Sequence, residues 1–175
     1  IINLHSGIFA HIASFGAGVP WADHFFLALS YWFFYLVLGA VFVRIFWKIA
    51  IAKSFIEKKK LFIEGLVLIF SVLLTWIIVT LIKALVAAPR PFEIVDGVRT
   101  LVLHGGGDSF PSGHTAIAAS IAGAIRPYHQ RAGMLLILFA LLVGISRVYL
   151  GVHFPIDVIA GFLTGLLIAD IVRKI

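Results

Sequence analysis

The 175-residue chain contains no cysteine and few charged side chains. Without cysteine it can form neither a disulfide framework nor a thiolate metal site. Charged residues make up 13% of the chain and hydrophobic residues 62%, whereas charged residues are about a quarter of a typical soluble domain. The shortage of charge therefore excludes an ordinary soluble domain and indicates an integral membrane protein.

Acidic residues are the scarcer charged class, with eight Asp and Glu against fourteen Lys and Arg, for a formal net charge of +6. A basic excess is common in nucleic-acid-binding proteins, but it has another explanation in a chain this apolar. Positive charge there marks the cytoplasmic ends of membrane spans and attracts anionic lipids. We therefore expect membrane lipids, and no nucleic acid, as partners.

Apolar runs indicate one all-α integral membrane domain over residues 1–175. The first run is long enough to cross about 30 Å of hydrocarbon. We expect about five transmembrane helices, at 21–43, 61–86, 112–126, 132–148 and 154–172. Residues 1–20 are too interrupted by Gly, Pro and His to span a bilayer, so we expect an N-terminal interfacial helix there.

Two polar segments separate these spans on opposite sides of the membrane. Residues 44–60 carry six Lys and Arg against Glu57 alone, so the positive-inside rule predicts a cytoplasmic loop. Residues 87–111 are punctuated by Pro and by the triplet Gly105-Gly106-Gly107. They are expected to form a loop at the opposite surface.

Ten of the fourteen Lys and Arg residues are expected on the cytoplasmic side of the membrane. The four that fall on the opposite side are Lys83, Arg90, Arg99 and Arg147. The positive-inside rule does not explain a basic cluster on that side. The cluster indicates a site for an anionic ligand.

A histidine and a carboxylate lie near the start of the last predicted span. Pro155 suits the first turn of a helix, so His153 and Asp157, four residues apart, share one helix face. The carboxylate then holds one imidazole nitrogen and leaves the other free as a nucleophile. The same pair also fits a structural role that ties two helices together, and spacing alone does not separate the two interpretations.

Two other stretches supply groups that bind anions. Lys83 and Arg90 place an ammonium and a guanidinium at the end of the second span. The sequence PSGH at 111–114 opens the third span, where Ser112 is a good N-cap and Gly113 permits close approach of the backbone. The amides of a helix N-terminus add further donors. The predicted phosphate-binding residues are Lys83, Arg90, Ser112, Gly113 and Arg147.

These stretches resemble the three motifs of the type 2 phosphatidic acid phosphatase family. The family consists of integral membrane lipid phosphatases and shares its active-site pattern with vanadium haloperoxidases and glucose-6-phosphatase. The resemblance covers residues 83–157 and holds at every defining position, in the right order. The matching positions are Lys83 to Arg90-Pro91, Pro111 to His114, and Ser146-Arg147 to His153 and Asp157.

The resemblance implies a role for each of these residues. His153 attacks phosphorus and becomes a phosphohistidine, Asp157 orients it, and His114 protonates the leaving oxygen. The phosphoryl oxygens are bound by the five phosphate-binding residues named above. The family needs no metal and no cofactor, and no His or Cys cluster in the sequence has metal-ligand spacing.

Among family substrates we expect undecaprenyl diphosphate, processed at the extracytoplasmic face of the bacterial cytoplasmic membrane. Phosphatidylglycerophosphate, phosphatidic acid and lipid A 1-phosphate are the alternatives. Many undecaprenyl-diphosphatase members carry Asp where this chain has Gly113, which counts against that choice without excluding it. Five apolar spans argue against a soluble haloperoxidase. A non-enzymatic lipid-binding or transport protein leaves the set of His153, Asp157 and His114 unexplained.

Other residues near the motifs receive no catalytic role. Five loop residues are interpreted as solvated, with a role in shaping head-group specificity as the alternative, and they are Glu93, Asp96, Arg99, His104 and Asp108. The aromatic run from Phe25 to Tyr35 is expected to pack against lipid and neighbouring helices, or to line a groove for a lipid chain.

Overall fold

The computed structural model of the protein describes residues 19–102 and 108–175, and no strand occurs among them. The helices are α1 (Pro20–Ala28), a π-helical turn (Leu29–Phe33), α2 (Phe34–Ile51), α3 (Phe55–Val86), α4 (Pro91–Ile94), α5 (Gly113–Ile125), α6 (Gln130–Tyr149) and α7 (Pro155–Lys174). Almost all of the predicted interfacial helix at 1–20 lies outside the described residues, as does His104.

Four stretches of the described chain are long and apolar enough to cross a membrane, and they are Pro20–Ile51, Phe55–Ile94, Gln130–Tyr149 and Pro155–Lys174. The remaining apolar helix, α5, has 13 residues. At ~1.5 Å per residue it is about 20 Å long, shorter than the ~30 Å hydrocarbon core. The prediction of an all-α membrane bundle is confirmed, with a fifth helix that is short.

Local sequence signals set the ends of the long helices. Ser54 caps α3, because its hydroxyl accepts a hydrogen bond of 3.1 Å from the Glu57 amide. Pro155 occupies the first turn of α7, and the Asp157 carboxylate accepts a hydrogen bond of 2.8 Å from the Phe154 amide. The helix start expected around Pro155 is therefore present, with Asp157 in its first turn.

The basic segment 44–60 is mostly helical, which corrects its interpretation as a loop. Helix α2 continues through Arg44 and Lys48 to Ile51, and α3 begins at Phe55. Only residues 52–54 form the turn. Lys and Arg can lay their apolar stems along a helix and keep their charged ends in water. A run of basic residues therefore does not show where a membrane helix ends.

Helix α5 occupies the middle of the bundle and packs very closely against α7. Most α5 side chains are buried, and most of the buried ones are small, chiefly Ala. A Cβ atom added at Gly161 would lie 2.4 Å from the Ser112 carbonyl oxygen, and one at Gly165 would lie 2.1 Å from that of Ala116. This small-xxx-small spacing lets two backbones touch. It brings the start of α7 against the start of α5.

Candidate active site

His153 and Asp157 lie at the start of α7, buried inside the bundle. Their exposed fractions are 2% and 3%, and His153 Nδ1 lies 3.5 Å from Asp157 Oδ2. The chain reaches His153 from α6 through Gly151, which has a φ of 73°. A Cβ there would lie 2.7 Å from the Arg99 carbonyl oxygen, so this turn requires glycine.

The Asp157 carboxylate is held by groups on both sides. Its Oδ2 atom accepts hydrogen bonds from the Phe154 amide at 2.8 Å and from the Ser109 hydroxyl at 2.6 Å. The Ser109 oxygen also lies 3.4 Å from His153 Nδ1. The carboxylate and the imidazole are adjacent, as their spacing on one helix face predicted, and Ser109 contacts both, which the sequence analysis missed.

The environment of His153 favours its neutral form. Burial lowers the pKa of His153 to about 4, against the opposing effect of the Asp157 carboxylate. The positive charges of Arg147 and Lys83 lower this pKa further. A neutral imidazole retains the ring lone pair that a nucleophile needs.

Lys83 and Arg90 both bind Asp108 in this structure. The Arg90 Nε and Nη2 atoms lie 3.2 Å and 2.5 Å from Asp108 Oδ1, and Lys83 Nζ donates to the Asp108 carbonyl oxygen. Burial alone would raise the pKa of the Asp108 carboxyl, but Arg90 outweighs it and holds that pKa below its usual range. Asp108 was interpreted as a solvated loop residue; its side chain is about half exposed, but it also pairs with Arg90, which the sequence analysis missed.

Two further hydrogen bonds hold Arg90, one from its side chain and one from its backbone amide. Its exposed fraction is 5%; Nη1 donates to the Val152 carbonyl oxygen at 3.3 Å, and its amide donates to Glu93 Oε2 at 2.6 Å. Glu93 thereby caps the short helix α4. The Arg90 guanidinium is thus held against the backbone of Val152, the residue that precedes His153.

Arg147 approaches the site from α6 and contacts the π-helical turn. The exposed fraction of Arg147 is 1%. Its Nη1 atom donates to the Ser30 hydroxyl at 2.7 Å, and its guanidinium lies 5.6 Å from the Tyr31 ring centroid. The ring of His114 lies 6.0 Å from that of Tyr31 and 5.0 Å from that of Phe34. The aromatic run was expected to pack against lipid and neighbouring helices, or to line a groove for a lipid chain. Tyr31 does pack against neighbouring helices, where it contacts two predicted site residues, Arg147 and His114.

Ser112 and Gly113 lie at the start of α5, as expected, but Ser112 is engaged within the protein. Its amide donates to the Asp157 carbonyl oxygen at 2.9 Å, and its hydroxyl lies 3.0 Å from that of Thr115. Ser112 occupies the N-cap position without a side-chain cap. A Cβ at Gly113 would lie 3.9 Å from Lys83 Cε, so this backbone approaches the predicted ammonium.

The structure therefore gathers most of the predicted set and separates one basic residue from it. The charges of Arg90, Asp157 and Arg147 all act on Lys83. Arg99 instead pairs with Asp23 at 2.8 Å. Within residues 19–102 and 108–175, no group of three or more His, Cys, Asp or Glu side chains is placed to hold a metal ion.

A cavity adjoins the site on the side of Asp157. Its volume is about 410 Å³, and its other walls are apolar side chains from the end of α3, the 88–94 segment, the segment before α5 and the start of α7, including Val86, Ile94, Phe110 and Ile156. The cavity brings an apolar surface next to a buried carboxylate. That combination suits an amphipathic ligand.

Fold and site together define a class: a membrane-embedded helical bundle whose buried His–Asp pair lies among convergent cations. The profile of the PAP2 superfamily matches residues 64–175, more than half of the chain. The chain belongs to the PAP2 superfamily.

Individual relatives agree with this assignment. The chain is 35% identical over 145 residues to the bacitracin transport permease protein BcrC of Bacillus licheniformis, covering 83% of this chain and 66% of that protein. It is 39% identical over 80 residues to undecaprenyl-diphosphatase BcrC of Bacillus subtilis (strain 168), covering 46% of this chain and 41% of the relative. The chain thus spans no more than two thirds of the length of these curated relatives.

A solved structure matches the whole fold. The crystal structure of Aquifex aeolicus LpxE superposes with a TM-score of 0.80 at 31% sequence identity, covering 98% of this chain and 96% of that one. The likeness extends over the described helices as well as the motif-bearing half of the chain. It supports the membrane bundle as the frame of the site.

Proposed function

We propose that the protein is a lipid phosphate phosphatase that works through a phosphohistidine at His153. The observation that carries the proposal is the buried pair of His153 and Asp157, 3.5 Å apart, among the charges of Lys83, Arg90 and Arg147. A lipid-binding protein needs the cations alone. An oriented, neutral imidazole beside them is the requirement of a nucleophile.

The first chemical step transfers the phosphoryl group to the protein. The Nε2 lone pair of His153 attacks phosphorus while the bond from phosphorus to the lipid oxygen breaks. That oxygen takes a proton from His114. Asp157 stabilises the positive charge that the ring acquires, because its carboxylate faces Nδ1.

The second step returns the protein to its starting state. His114, now neutral, accepts a proton from a water molecule that attacks the phosphohistidine. The bond from phosphorus to nitrogen breaks, its electron pair returns to His153, and orthophosphate leaves. Both steps pass through the same charged phosphoryl group, so the same cations stabilise both transition states.

Binding of the phosphoryl group replaces an internal contact. The Asp108 carboxylate holds Arg90 at 2.5 Å, and a phosphoryl group offers the same guanidinium two acceptor oxygens and more charge. Lys83, Arg147 and the Gly113 backbone complete the phosphate site. Ser112 contributes by holding the start of α5 to α7, because its amide and hydroxyl already have partners.

Undecaprenyl diphosphate is the substrate that we favour, with removal of its terminal phosphate. A relative that is 39% identical over 80 residues carries the name undecaprenyl-diphosphatase, and the apolar cavity beside Asp157 suits the first units of a lipid chain. Phosphatidylglycerophosphate, phosphatidic acid and lipid A 1-phosphate are the alternatives, since they present a phosphate at the same depth of the membrane.

The site is proposed to face the extracytoplasmic side of a bacterial cytoplasmic membrane. The basic helix ends around residues 44–60 mark the cytoplasmic side, and Lys83 lies at the other end of α3. A lipid held with its tail in the bilayer then presents its head group to His153 from the outer leaflet.

The test is orthophosphate release by the detergent-purified protein from these four lipids, side by side and with a chelator present. We expect release from undecaprenyl diphosphate to be fastest, and His153→Ala to lower turnover by roughly 10³-fold or more. His24→Ala is the matched control, because His24 is exposed and its ring nitrogen Nδ1 bonds to the Pro20 carbonyl oxygen, four residues away on its own helix.

Three results would count against the proposal. Turnover that survives His153→Ala excludes the phosphohistidine, and turnover that stops with chelator indicates a metal-dependent reaction. Binding of all four lipids without turnover by the wild-type protein indicates the lipid-binding alternative. A clear preference for another lipid in the panel corrects the substrate and leaves the mechanism in place.

A further inference from the structure

The hydroxyl of Ser109 lies between the two members of the catalytic pair. Its oxygen is 2.6 Å from Asp157 Oδ2 and 3.4 Å from His153 Nδ1, while Nδ1 and Oδ2 are 3.5 Å apart. Among the residues that the structure describes, the two groups that face Nδ1 are therefore Ser109 and Asp157. Ser109 has an exposed fraction of 0%.

The backbone holds this hydroxyl in place independently of the pair. The Ser109 amide donates to the Ala88 carbonyl oxygen at 2.9 Å, which ties the residue to the end of α3. Ser112 follows three residues later, and its amide donates to the Asp157 carbonyl oxygen. The segment before α5 thus contacts Asp157 through its backbone and its side chain.

Proton counting fixes which ring nitrogen carries the hydrogen. A serine hydroxyl has one proton, and here the Asp157 carboxylate accepts it at 2.6 Å. The remaining lone pairs of Ser109 and the carboxylate both act as acceptors toward His153 Nδ1. A nitrogen that faces only acceptors must carry a hydrogen, so the lone pair lies on Nε2, the nitrogen that attacks phosphorus.

We propose that Ser109 is a positioning residue for this reaction: its hydroxyl holds Asp157 and shares the Nδ1 hydrogen of His153, which fixes the tautomer and the ring orientation. The proposal rests on the proposed function, since it concerns the same nucleophile. Ser109 acts through Asp157 and His153 and does not bind the phosphoryl group itself. Its loss therefore affects turnover and leaves phosphate binding in place.

The experiment is a double-mutant cycle on the purified full chain, with the lipid that wild type turns over fastest. The variants are Ser109→Ala, Asp157→Asn and the double variant, with Ser120→Ala as the matched control. Ser120 is equally buried, and its hydroxyl has no hydrogen-bond partner among the described residues. Each variant is measured for kcat, KM, the inhibition constant of orthophosphate and the thermal midpoint.

We expect Ser109→Ala to lower kcat by about 10- to 100-fold, a loss similar to that seen when a residue that orients a functional side chain is removed. KM and the orthophosphate constant stay within about twofold, because the cations are untouched. The kcat of the double variant is expected to equal that of Asp157→Asn alone, because both substitutions disrupt the same contacts between Ser109, Asp157 and His153. Ser120→Ala retains wild-type kcat.

Other outcomes overturn the proposal. Wild-type kcat in Ser109→Ala, a rise in KM alone, or effects of Ser109→Ala and Asp157→Asn that multiply would each show that the hydroxyl does not act through the pair. If Ser109→Ala does not fold, Ser109→Cys keeps the size and weakens the donor, and it must show the same loss of kcat. If wild type itself lacks His153-dependent turnover, the proposed function fails first, and that result is distinct.

Discussion

At the residue scale, the protonation state of His153 results from opposing effects. Burial and the charges of Arg147 and Lys83 disfavour the imidazolium, whereas the Asp157 carboxylate favours it. Burial dominates, so the pKa falls below the ordinary value of 6.5 to about 4. The resting ring is neutral, and the carboxylate becomes most effective when the ring gains positive charge during phosphoryl transfer.

This balance predicts the pH dependence of turnover. Because the pKa of His153 is lowered, the ring stays neutral as the pH falls from 6.5 toward 4, and the nucleophile stays active over that interval. We expect the acid limb of kcat/KM against pH to lie below pH 6.5, since kcat/KM reports the ionisations of the free protein. An acid limb centred above pH 6.5, with the protein still folded, would contradict this account.

Some site residues could be predicted from local spacing, and others could not. His153 and Asp157 are four apart on one helix, so their pairing follows from helix geometry. Ser30 and Tyr31 come to Arg147 from a helix that is more than a hundred positions away in sequence, and no local pattern reports that packing. The one available signal was Ser30 itself, a polar side chain inside an aromatic membrane run.

At the element scale, the contact between α5 and α7 positions the whole site. The start of α5 and the start of α7 meet because Gly161 and Gly165 allow the helix backbones to touch. The sequence predicted both helices but not this contact, because helix pairing depends on which small-residue faces meet. The segment 44–60 was wrongly predicted as a loop for a related reason. Its basic composition bears on which side of the membrane it faces, not on where its helices end.

Gly165→Ala tests the role of this contact. The added Cβ would lie 2.1 Å from the Ala116 carbonyl oxygen, so α7 must move away from α5, at a cost of about 1–3 kcal/mol typical of overpacking. We expect a lower thermal midpoint together with reduced kcat. Gly39→Ala is the control, because nothing lies within 4 Å of a Cβ there and alanine favours the helix. Equal thermal midpoints for the two variants would contradict the role given to the contact.

At the scale of the whole molecule, the two ends of the bundle hold their charges differently. At one end the buried Glu64 carboxylate lies 2.9 Å from His129 Nε2 and 3.9 Å from Arg44 Nη1, which ties three helical segments together. At the other end Lys83 and Arg90 converge on the backbone and side chain of Asp108, while Arg147 is held by Ser30. The first arrangement is closed within the protein, whereas under the proposed function an incoming phosphoryl group takes the place of Asp108 in the second.

The proposed sidedness can be tested because the chain has no cysteine. Lys58→Cys and Asp96→Cys each introduce a single thiol at an exposed position, one in the basic segment and one near the site. In intact spheroplasts we expect a membrane-impermeant maleimide to label the cysteine at position 96 only, with position 58 labelled after membrane disruption. The reverse pattern would place the site in the cytoplasm.

The central claim is that His153 becomes covalently phosphorylated during turnover. The most direct measurement is rapid quenching of the protein with lipid that carries a radiolabelled terminal phosphate, followed by mapping of the bound label. We expect label on His153 that is stable in base and lost in acid, as a phosphorus–nitrogen bond requires, and none in His153→Ala. Turnover at the wild-type rate without label on His153, or with label on another residue, would contradict the account.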